Sequence, residues 1–208
     1  MNLTSSSQRG EVHGAGWHSR GYLPHFDGGA IPQFVTLHLA DSVPAKVVAR
    51  WQQQLRHLAK AEQRVISQTR AQRYLDTGYG QCFLKDPRIA AMVQESLLAF
   101  DRRRYDLFAW VIMPNHSHLL LTPDQGWRLE RLVHSHKSYT AHEANRILNR
   151  LGQFWMKEYF DRYVRNADHF RNTVRYIENN PVKAGLCSSP AEWPFSSAWF
   201  REREDRCG

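Results

Sequence analysis

Residues 110–121 read WVIMPNHSHLLL and place two histidines, His116 and His118, one residue apart at the start of an apolar run. Alternate side chains of a strand project from the same face, so both imidazoles are expected to point the same way. Imidazole nitrogens about 6 to 7 Å apart along a strand can converge on one divalent cation. The other interpretation is a pair of hydrogen-bonded or surface histidines. The pattern therefore predicts a strand with a candidate metal site at its beginning.

The segments around this stretch predict three more strands. Residues 105–113 form the preceding strand, and Pro114 and Asn115 turn the chain into the strand over residues 116–122, so these two strands are expected to be antiparallel neighbours. Residues 30–40 are β-branched and aromatic in the middle and predict the first strand. The aromatic segment 154–164 predicts the last strand.

Helical spacing of apolar residues fills the intervals between these strands. One helix is expected over residues 44–68, and another over residues 129–151. A helix that starts near Pro87 should bury Ile89, Val93, Leu97 and Leu98. A final helix, capped by Asp168, must stop before Pro181.

This order of elements predicts an α+β fold, a ferredoxin-like βαββαβ split sheet with helices on one face and extra helices inserted after the first strand. The chain shows no internal repeat, and its 208 residues are enough for one core. We expect a flexible N-terminal tail over residues 1–20, a single domain over residues 21–200 and a C-terminal tail over residues 201–208. Three scattered cysteines and no apolar membrane span favour a soluble cytoplasmic protein, associated with the nucleoid if it binds DNA.

The charge of the chain indicates a polyanionic partner. The net charge is +8, and 22 arginines stand against 6 lysines. Guanidinium groups grip phosphates in a bidentate manner and stack on bases, so nucleic acid is the favoured partner over a merely solvated basic surface. Candidate DNA-binding residues are the cluster Arg102, Arg103 and Arg104, Lys137 on the long helix, and Arg162 and Arg165 beside the aromatic last strand.

Several separated motifs, in order and spacing, resemble the HUH single-strand transposases, and most closely the REP-associated tyrosine transposases of bacteria. The motifs are residues 113–120 (MPNHSHLL), 137–139 (KSY), 154–155 (FW), 159–165 (YFDRYVR), 176–186 (YIENNPVKAGL) and 193–197 (WPFSS). The resemblance extends from about residue 21 to residue 200. It implies the HUH endonuclease fold, which is ferredoxin-like, and metal-dependent cleavage and rejoining of single-stranded DNA at palindromic hairpins.

The resemblance also assigns roles to individual residues. His116 and His118 match the two metal-binding histidines, Tyr176 matches the nucleophile, and Asn180 matches a third, amide ligand. Asn179 and Glu178 are close enough in sequence to replace Asn180. The implied cation is Mg²⁺ or Mn²⁺, although histidine ligands by themselves would equally suit zinc, nickel or copper.

Two other residues, Ser117 and Tyr139, bear on this assignment. The family usually has a bulky apolar residue between the histidines, where this chain has Ser117; because that side chain points away from the ligands, the change affects the packing behind the site. Tyr139 is the other tyrosine on a predicted helix near the histidines, and we interpret it as an aromatic residue packed on the sheet.

Three functions therefore remain open from the sequence. The first is nicking and rejoining of single-stranded or hairpin DNA through a 5′-phosphotyrosine intermediate, by a monomer or a homodimer. The second is a domesticated protein that binds hairpin DNA without cutting it. The third is a metal-dependent RNA phosphodiesterase that uses water and forms no covalent adduct. The combination of His116, His118 and Tyr176 favours the first.

Overall fold

The computed structural model describes residues 16–19, 24–27 and 30–207. Its strands are β1 (Gly16–Ser19), β2 (Pro24–Asp27), β3 (Gln33–His38), β4 (Tyr105–Ile112), β5 (His116–Pro123) and β6 (Phe160–Tyr163). Its helices are α1 (Ala45–Leu55), α2 (Lys60–Leu75), α3 (Pro87–Leu98), α4 (Leu129–Ile147), α5 (Ala167–Glu178), α6 (Asn180–Lys183) and α7 (Ser197–Cys207).

The central sheet has four strands in the order β4-β5-β3-β6, and every neighbouring pair is antiparallel. This is the predicted βαββαβ order, because the first and second strands of the motif, β3 and β4, flank the third, β5. The predicted fold class is therefore confirmed. A separate two-stranded antiparallel sheet pairs β1 with β2.

The register of β3 and β5 decides which side chains share a face. Thr36 lies opposite His118, and His38 lies opposite His116. Because side chains alternate, both β5 histidines and these two β3 residues project from one face, while Leu37 and Leu119 project from the other. A polar row of three histidines thus begins at one end of the sheet.

Both faces of the sheet are covered. Helices α3 and α4 pack on the face that carries Val35 and Leu37 and enclose the larger apolar core. Helix α5 packs on the histidine face, where Ile177 joins Val111 and Leu120 in a second core. The expectation of helices on one face holds for α3 and α4 and is incomplete, because α5 and the end of α2 cover the opposite face.

The inserted helical segment differs from its prediction. Residues 44–68 were expected as one helix, whereas the structure has α1 and α2 with a break over residues 56–59. The break carries no Gly or Pro, so local propensity does not cause it. Leu55 is buried and Ala59 is extended, which turns the chain so that α2 returns across the histidine face.

The last strand is shorter than expected. Of residues 154–164, only Phe160–Tyr163 pair as β6, and Trp155 makes a single bridge with Leu39. Phe154 and Trp155 are both buried, and the indole of Trp155 donates to Thr140 on α4. Both rings pack in the same core, whereas consecutive side chains of a strand would project from opposite faces of the sheet.

The ends of the predicted elements also shift. Asn166 caps α5 by accepting from the backbone of His169, whereas Asp168 lies in the first turn and is not the cap. Residues 201–207, expected as a tail, continue α7. The expected N-terminal tail falls mostly outside the described residues, and within it Gly16–Ser19 form β1.

Candidate active site

Tyr176 lies against the histidine face of the sheet. Its ring centroid is 5.4 Å from that of His118, which in turn is 4.7 Å from that of His116. Phe34 on β3 contacts both His118 and Tyr176, with centroid distances of 5.2 and 5.8 Å. The fold therefore brings Tyr176 against two histidines that precede it by 60 and 58 residues in the sequence.

Hydrogen bonds orient both imidazoles of β5. Nδ1 of His116 lies 2.7 Å from Oδ1 of Asn115, and Nδ1 of His118 lies 2.8 Å from Oγ1 of Thr36. An amide carbonyl only accepts, so Nδ1 of His116 carries the proton and its Nε2 keeps a lone pair. The Thr36 hydroxyl permits the same tautomer in His118. Such second-sphere contacts fix the ring orientation of metal-binding histidines.

Both histidines are neutral at physiological pH. Burial lowers the pKa of His116 well below its usual value, and the neighbouring His118 and His38 act in the same direction. Burial, followed by the charge of Lys183, lowers the pKa of His118 to about 3. The lone pairs on the two Nε2 atoms therefore remain available to a Lewis acid.

The Tyr176 hydroxyl is buried and has no hydrogen-bond partner among the described residues. Burial raises its pKa to about 12; the nearby Asn180 amide lowers the pKa, Asp76 raises it and Arg162 lowers it. The phenol is thus protonated before any substrate arrives. A buried hydroxyl without a partner costs free energy. Such a hydroxyl is typical of a group that binds a ligand.

Of the three candidate third ligands, Asn180 is the one whose amide lies beside the Tyr176 hydroxyl. Asn180 is buried, and its Nδ2 has no partner in the described part of the chain. Asn179 is directed back to its own helix, where its Nδ2 donates to the carbonyl of Arg175 at 2.9 Å. Glu178 accepts from Ser197 and pairs with Arg201 on α7.

The donor set of this site fits a divalent cation. Nε2 of His116, Nδ2 of Asn180 and the hydroxyl of Tyr176 are all buried without partners in the part of the chain that the structure describes. Two neutral imidazoles and an amide that can turn its oxygen inward would leave a bound ion its full charge. No group of three His, Cys, Asp or Glu residues suited to a metal occurs in the described residues, so an amide ligand would have to complete the set.

Two residues of the inserted α2 segment reach the rim of this site, and sequence reasoning missed them. Nε2 of Gln72 lies 2.9 Å from Oδ1 of Asp76 and 3.3 Å from Nε2 of His118. The other carboxylate oxygen of Asp76 lies 3.4 Å from Nζ of Lys183. No local pattern marks these residues, because the contacts join positions 46 and 107 residues apart.

Of the predicted DNA-binding residues, Arg162 lies nearest to the site. It is paired with Phe34 in the β3–β6 register and therefore projects from the same face as His118 and Tyr176. Its side chain is exposed. Arg165 follows β6 and lies over the ring of Tyr163 at 5.8 Å.

The structure does not bring the remaining cations to the site. The cluster Arg102, Arg103 and Arg104 precedes β4, at the end of the sheet opposite His116, which is about 20 Å away along a strand of this length. Arg104 lies between the rings of Phe100 and Trp127. Lys137, on the other side of the sheet, donates to the carbonyl oxygens of Met156 and Lys157.

The competing tyrosine is also remote from the site. Tyr139 lies on α4, which packs on the face of the sheet opposite the histidines, and its side chain is about half exposed. It therefore does not pack on the sheet as expected. Ser117 points into the α3 and α4 side of the sheet, where its hydroxyl is buried without a partner among the described residues. The side chain at position 117 therefore lies behind the site, on the face away from the two histidines.

No helix in the described part of the chain is long and apolar enough to cross a membrane.

Comparison with known proteins finds similarity to transposases. Residues 83–180 match the family described as IS200-like transposases. A REP-associated tyrosine transposase of Escherichia coli (strain K12) is 28% identical over 114 residues, which cover 51% of this chain and 62% of that protein. The match thus spans less than two thirds of that relative's length.

A similar fold occurs in the solved structure of a REP-associated tyrosine transposase bound to a REP hairpin. The two chains superpose with a TM-score of 0.50 and 19% identity, and the match covers 83% of this chain and 79% of that one. At this level of identity the likeness establishes the fold.

Proposed function

We propose that this chain nicks and rejoins single-stranded DNA at hairpin elements through a covalent bond to Tyr176, which the match of residues 83–180 to the family described as IS200-like transposases supports. One observation supports this most strongly. The Tyr176 hydroxyl and Nε2 of His116, whose rings both contact that of His118, and Nδ2 of Asn180 are buried without partners among the described residues. Unsatisfied buried polar atoms are costly, and together they suit a phosphodiester and its counter-ion.

The proposed step is a transesterification. Oη of Tyr176 forms a bond to phosphorus, and the bond from phosphorus to the 3′ oxygen of the preceding nucleotide breaks. The phenol loses one proton and the departing 3′ oxygen gains one. The products are a 5′-phosphotyrosyl protein and a free 3′-hydroxyl, and the reverse step joins a new 3′ end without ATP.

Two histidines and one amide would hold the cation in this scheme. His116 and His118 would bind it through Nε2, because Asn115 and Thr36 occupy their Nδ1 atoms, and Asn180 would supply its side-chain oxygen. Mg²⁺ or Mn²⁺ would neutralise the scissile phosphate and stabilise the charge that develops on it. Arg162, which projects from the same face, would hold the DNA backbone beside the nucleophile.

The raised pKa of Tyr176 has a consequence for this mechanism. A phenol with a pKa of about 12 is almost entirely protonated at neutral pH, so it is a poor nucleophile in the absence of DNA. Positive charge that arrives with the substrate complex favours the phenolate. The phenol would therefore lose its proton only once a phosphate and its counter-ion are bound at the site.

The hairpin itself is proposed as the substrate because one relative of similar fold is described as bound to a REP hairpin. One turn of duplex DNA is about 34 Å long, so a stem could reach from the site to the distant Arg102, Arg103 and Arg104 cluster. Those arginines would then contact the stem backbone and contribute affinity without touching the reacting phosphate.

The direct experiment is incubation of the protein with labelled single-stranded hairpin DNA and Mn²⁺, followed by a denaturing gel. The proposal predicts a labelled band at the mass of the protein plus the DNA fragment. Binding without cleavage under any divalent cation would indicate a domesticated binding protein. Cleavage without an adduct, with RNA preferred, would indicate a water-dependent phosphodiesterase.

A further inference from the structure

We infer that Gln72 and Lys183 form a phosphate-binding subsite at the rim of the Tyr176 site, and that Asp76 positions both donors for a DNA phosphodiester. The inference rests on the proposed function and extends it to three residues that have no assigned role, although Lys183 lies within the motif at residues 176–186. All three residues lie outside residues 83–180. They come from two distant segments, the last turn of α2 with its cap and the end of α6.

The Asp76 carboxylate accepts from both neighbours. One oxygen accepts from Nε2 of Gln72 at 2.9 Å, and the other faces Nζ of Lys183 at 3.4 Å. The orientation of the Gln72 amide follows from this contact, since only its nitrogen can donate to a carboxylate. Asp76 therefore fixes an amide donor and an ammonium donor side by side.

The second hydrogen of the Gln72 amide points to the catalytic centre. Nε2 of Gln72 lies 3.3 Å from Nε2 of His118, whose lone pair accepts it. Once that lone pair is committed to a cation, the N–H group requires another acceptor. An oxygen of the scissile phosphate is the acceptor that the reaction brings to this position.

The charge of Lys183 is suited to the same ligand. Its side chain is 66% exposed, and only one of its donors is directed at Asp76, so the others face solvent at the rim. The fields of the two charged residues reach the centre: Lys183 lowers the pKa of His118, and Asp76 raises the pKa of Tyr176. An unpaired Asp76 would repel a phosphate, and the pairing with Lys183 removes that repulsion.

The test uses dimethyl phosphate, the smallest phosphodiester, which needs no knowledge of the DNA sequence. Its dissociation constant is measured by ³¹P NMR with and without Mn²⁺. Lys183→Met and Gln72→Leu are each expected to raise the dissociation constant of dimethyl phosphate about tenfold, because each removes a hydrogen bond to a charged group. Lys183→Arg should stay within about threefold of the unmutated protein. The matched controls are Lys46→Met and Gln53→Leu on the exposed side of α1, which should leave it unchanged.

Asp76→Asn separates positioning from simple electrostatics. Removal of a negative charge near the site should strengthen anion binding if charge alone matters. If Asp76 positions the two donors, the variant should instead bind dimethyl phosphate several times more weakly, because its amide holds neither donor as firmly. Tighter binding in this variant would overturn the positioning role.

Two further results decide the inference. The Mn²⁺ affinity, measured by calorimetry, should change less than about twofold in Gln72→Leu and Lys183→Met; a parallel loss of Mn²⁺ would show that these residues serve the cation and overturn the subsite. Equal dimethyl phosphate affinities in the variants and their controls would overturn it as well. The absence of a covalent DNA adduct contradicts the proposed function and leaves this phosphate readout unaffected.

Discussion

Oδ1 of Asn115 lies 2.7 Å from Nδ1 of His116, and the amide nitrogen of the same Asn115 side chain donates to the carbonyl oxygens of Leu75 and Tyr79 at 3.2 and 3.0 Å. One buried side chain thus orients a candidate metal ligand and attaches it to the end of α2. Because α2 also supplies Gln72, the imidazole and the rim of the site are held in one network.

The Asn115→Ala variant tests this network. We expect Mn²⁺ affinity to fall about 10- to 100-fold, because loss of an outer hydrogen bond frees the His116 ring and its tautomer. The free energy of unfolding should fall by about 1–3 kcal/mol, since two backbone carbonyls lose their donor. Calorimetry and urea denaturation measure the two effects. Asn145→Ala, which also removes an amide donor to a carbonyl but far from the site, is the control. Equal Mn²⁺ affinities in the two variants would contradict the role of Asn115.

The two histidines should matter for cleavage far more than for DNA affinity. His116→Ala and His118→Ala are expected to abolish nicking, while the dissociation constant for hairpin DNA stays within about threefold, because arginines supply most of the binding. Gel assays and fluorescence anisotropy measure these quantities. His134→Ala, an exposed position on α4, serves as the control and should cleave normally. Loss of binding in parallel with cleavage would show that the histidines serve a structural role.

DNA binding should weaken steeply with salt. A surface that contacts several phosphates releases their counter-ions, so affinity should fall more than about tenfold between 50 and 200 mM salt. Arg162→Gln should reduce the slope of log affinity against log salt concentration by about one, the value for one phosphate contact. This arginine is exposed and projects from the same face as the site. An unchanged slope in this variant would place Arg162 outside the interface.

The buried His136 should make the protein less stable in mild acid. Burial, including that of Nε2, followed by the charge of Lys137, lowers the pKa of His136 from 6.5 to about 4. Between these values the unfolded chain binds a proton that the folded chain does not. The free energy of unfolding should therefore fall as the pH drops from about 6.5 to 4, by up to about 1.4 kcal/mol per pH unit for this group.

Urea denaturation at several pH values measures this dependence. Other buried histidines contribute with the same sign, so His136→Gln should reduce the slope and not abolish it. His134→Gln, two residues earlier on the exposed side of α4, should retain the full slope. A slope that His136→Gln leaves intact would mean that His136 is protonated alike in both states.

Local patterns in the sequence were sufficient to predict the sheet and the pairing of the histidines. The alternation in residues 105–113 and 116–122 predicts β4 and β5, and the spacing of His116 and His118 predicts their common face. Strand alternation depends on neighbours along the chain, so one sequence contains it. The position of Tyr176 near the histidines was predicted from the family resemblance, because periodicity alone does not distinguish one tyrosine on a helix from another.

The rim of the site could not be predicted in this way. Gln72, Asp76 and Lys183 meet because α1 and α2 break apart at residues 56–59, and no local signal marks that break. The position of the arginine cluster could not be predicted for the opposite reason, because residues close in sequence lie far apart in the fold. Arg104 is only 12 positions from His116 in the sequence, but the extended β4 carries the chain to the other end of the sheet.

The central claim is that Tyr176 is the nucleophile, and Tyr176→Phe tests it most directly. The variant keeps the ring against His118 and removes one oxygen, so Mn²⁺ and hairpin DNA should still bind. Unmutated protein and Tyr139→Phe, incubated with labelled hairpin DNA and Mn²⁺, should both form a denaturation-resistant adduct, and Tyr176→Phe should form none. An adduct retained in Tyr176→Phe would contradict the account.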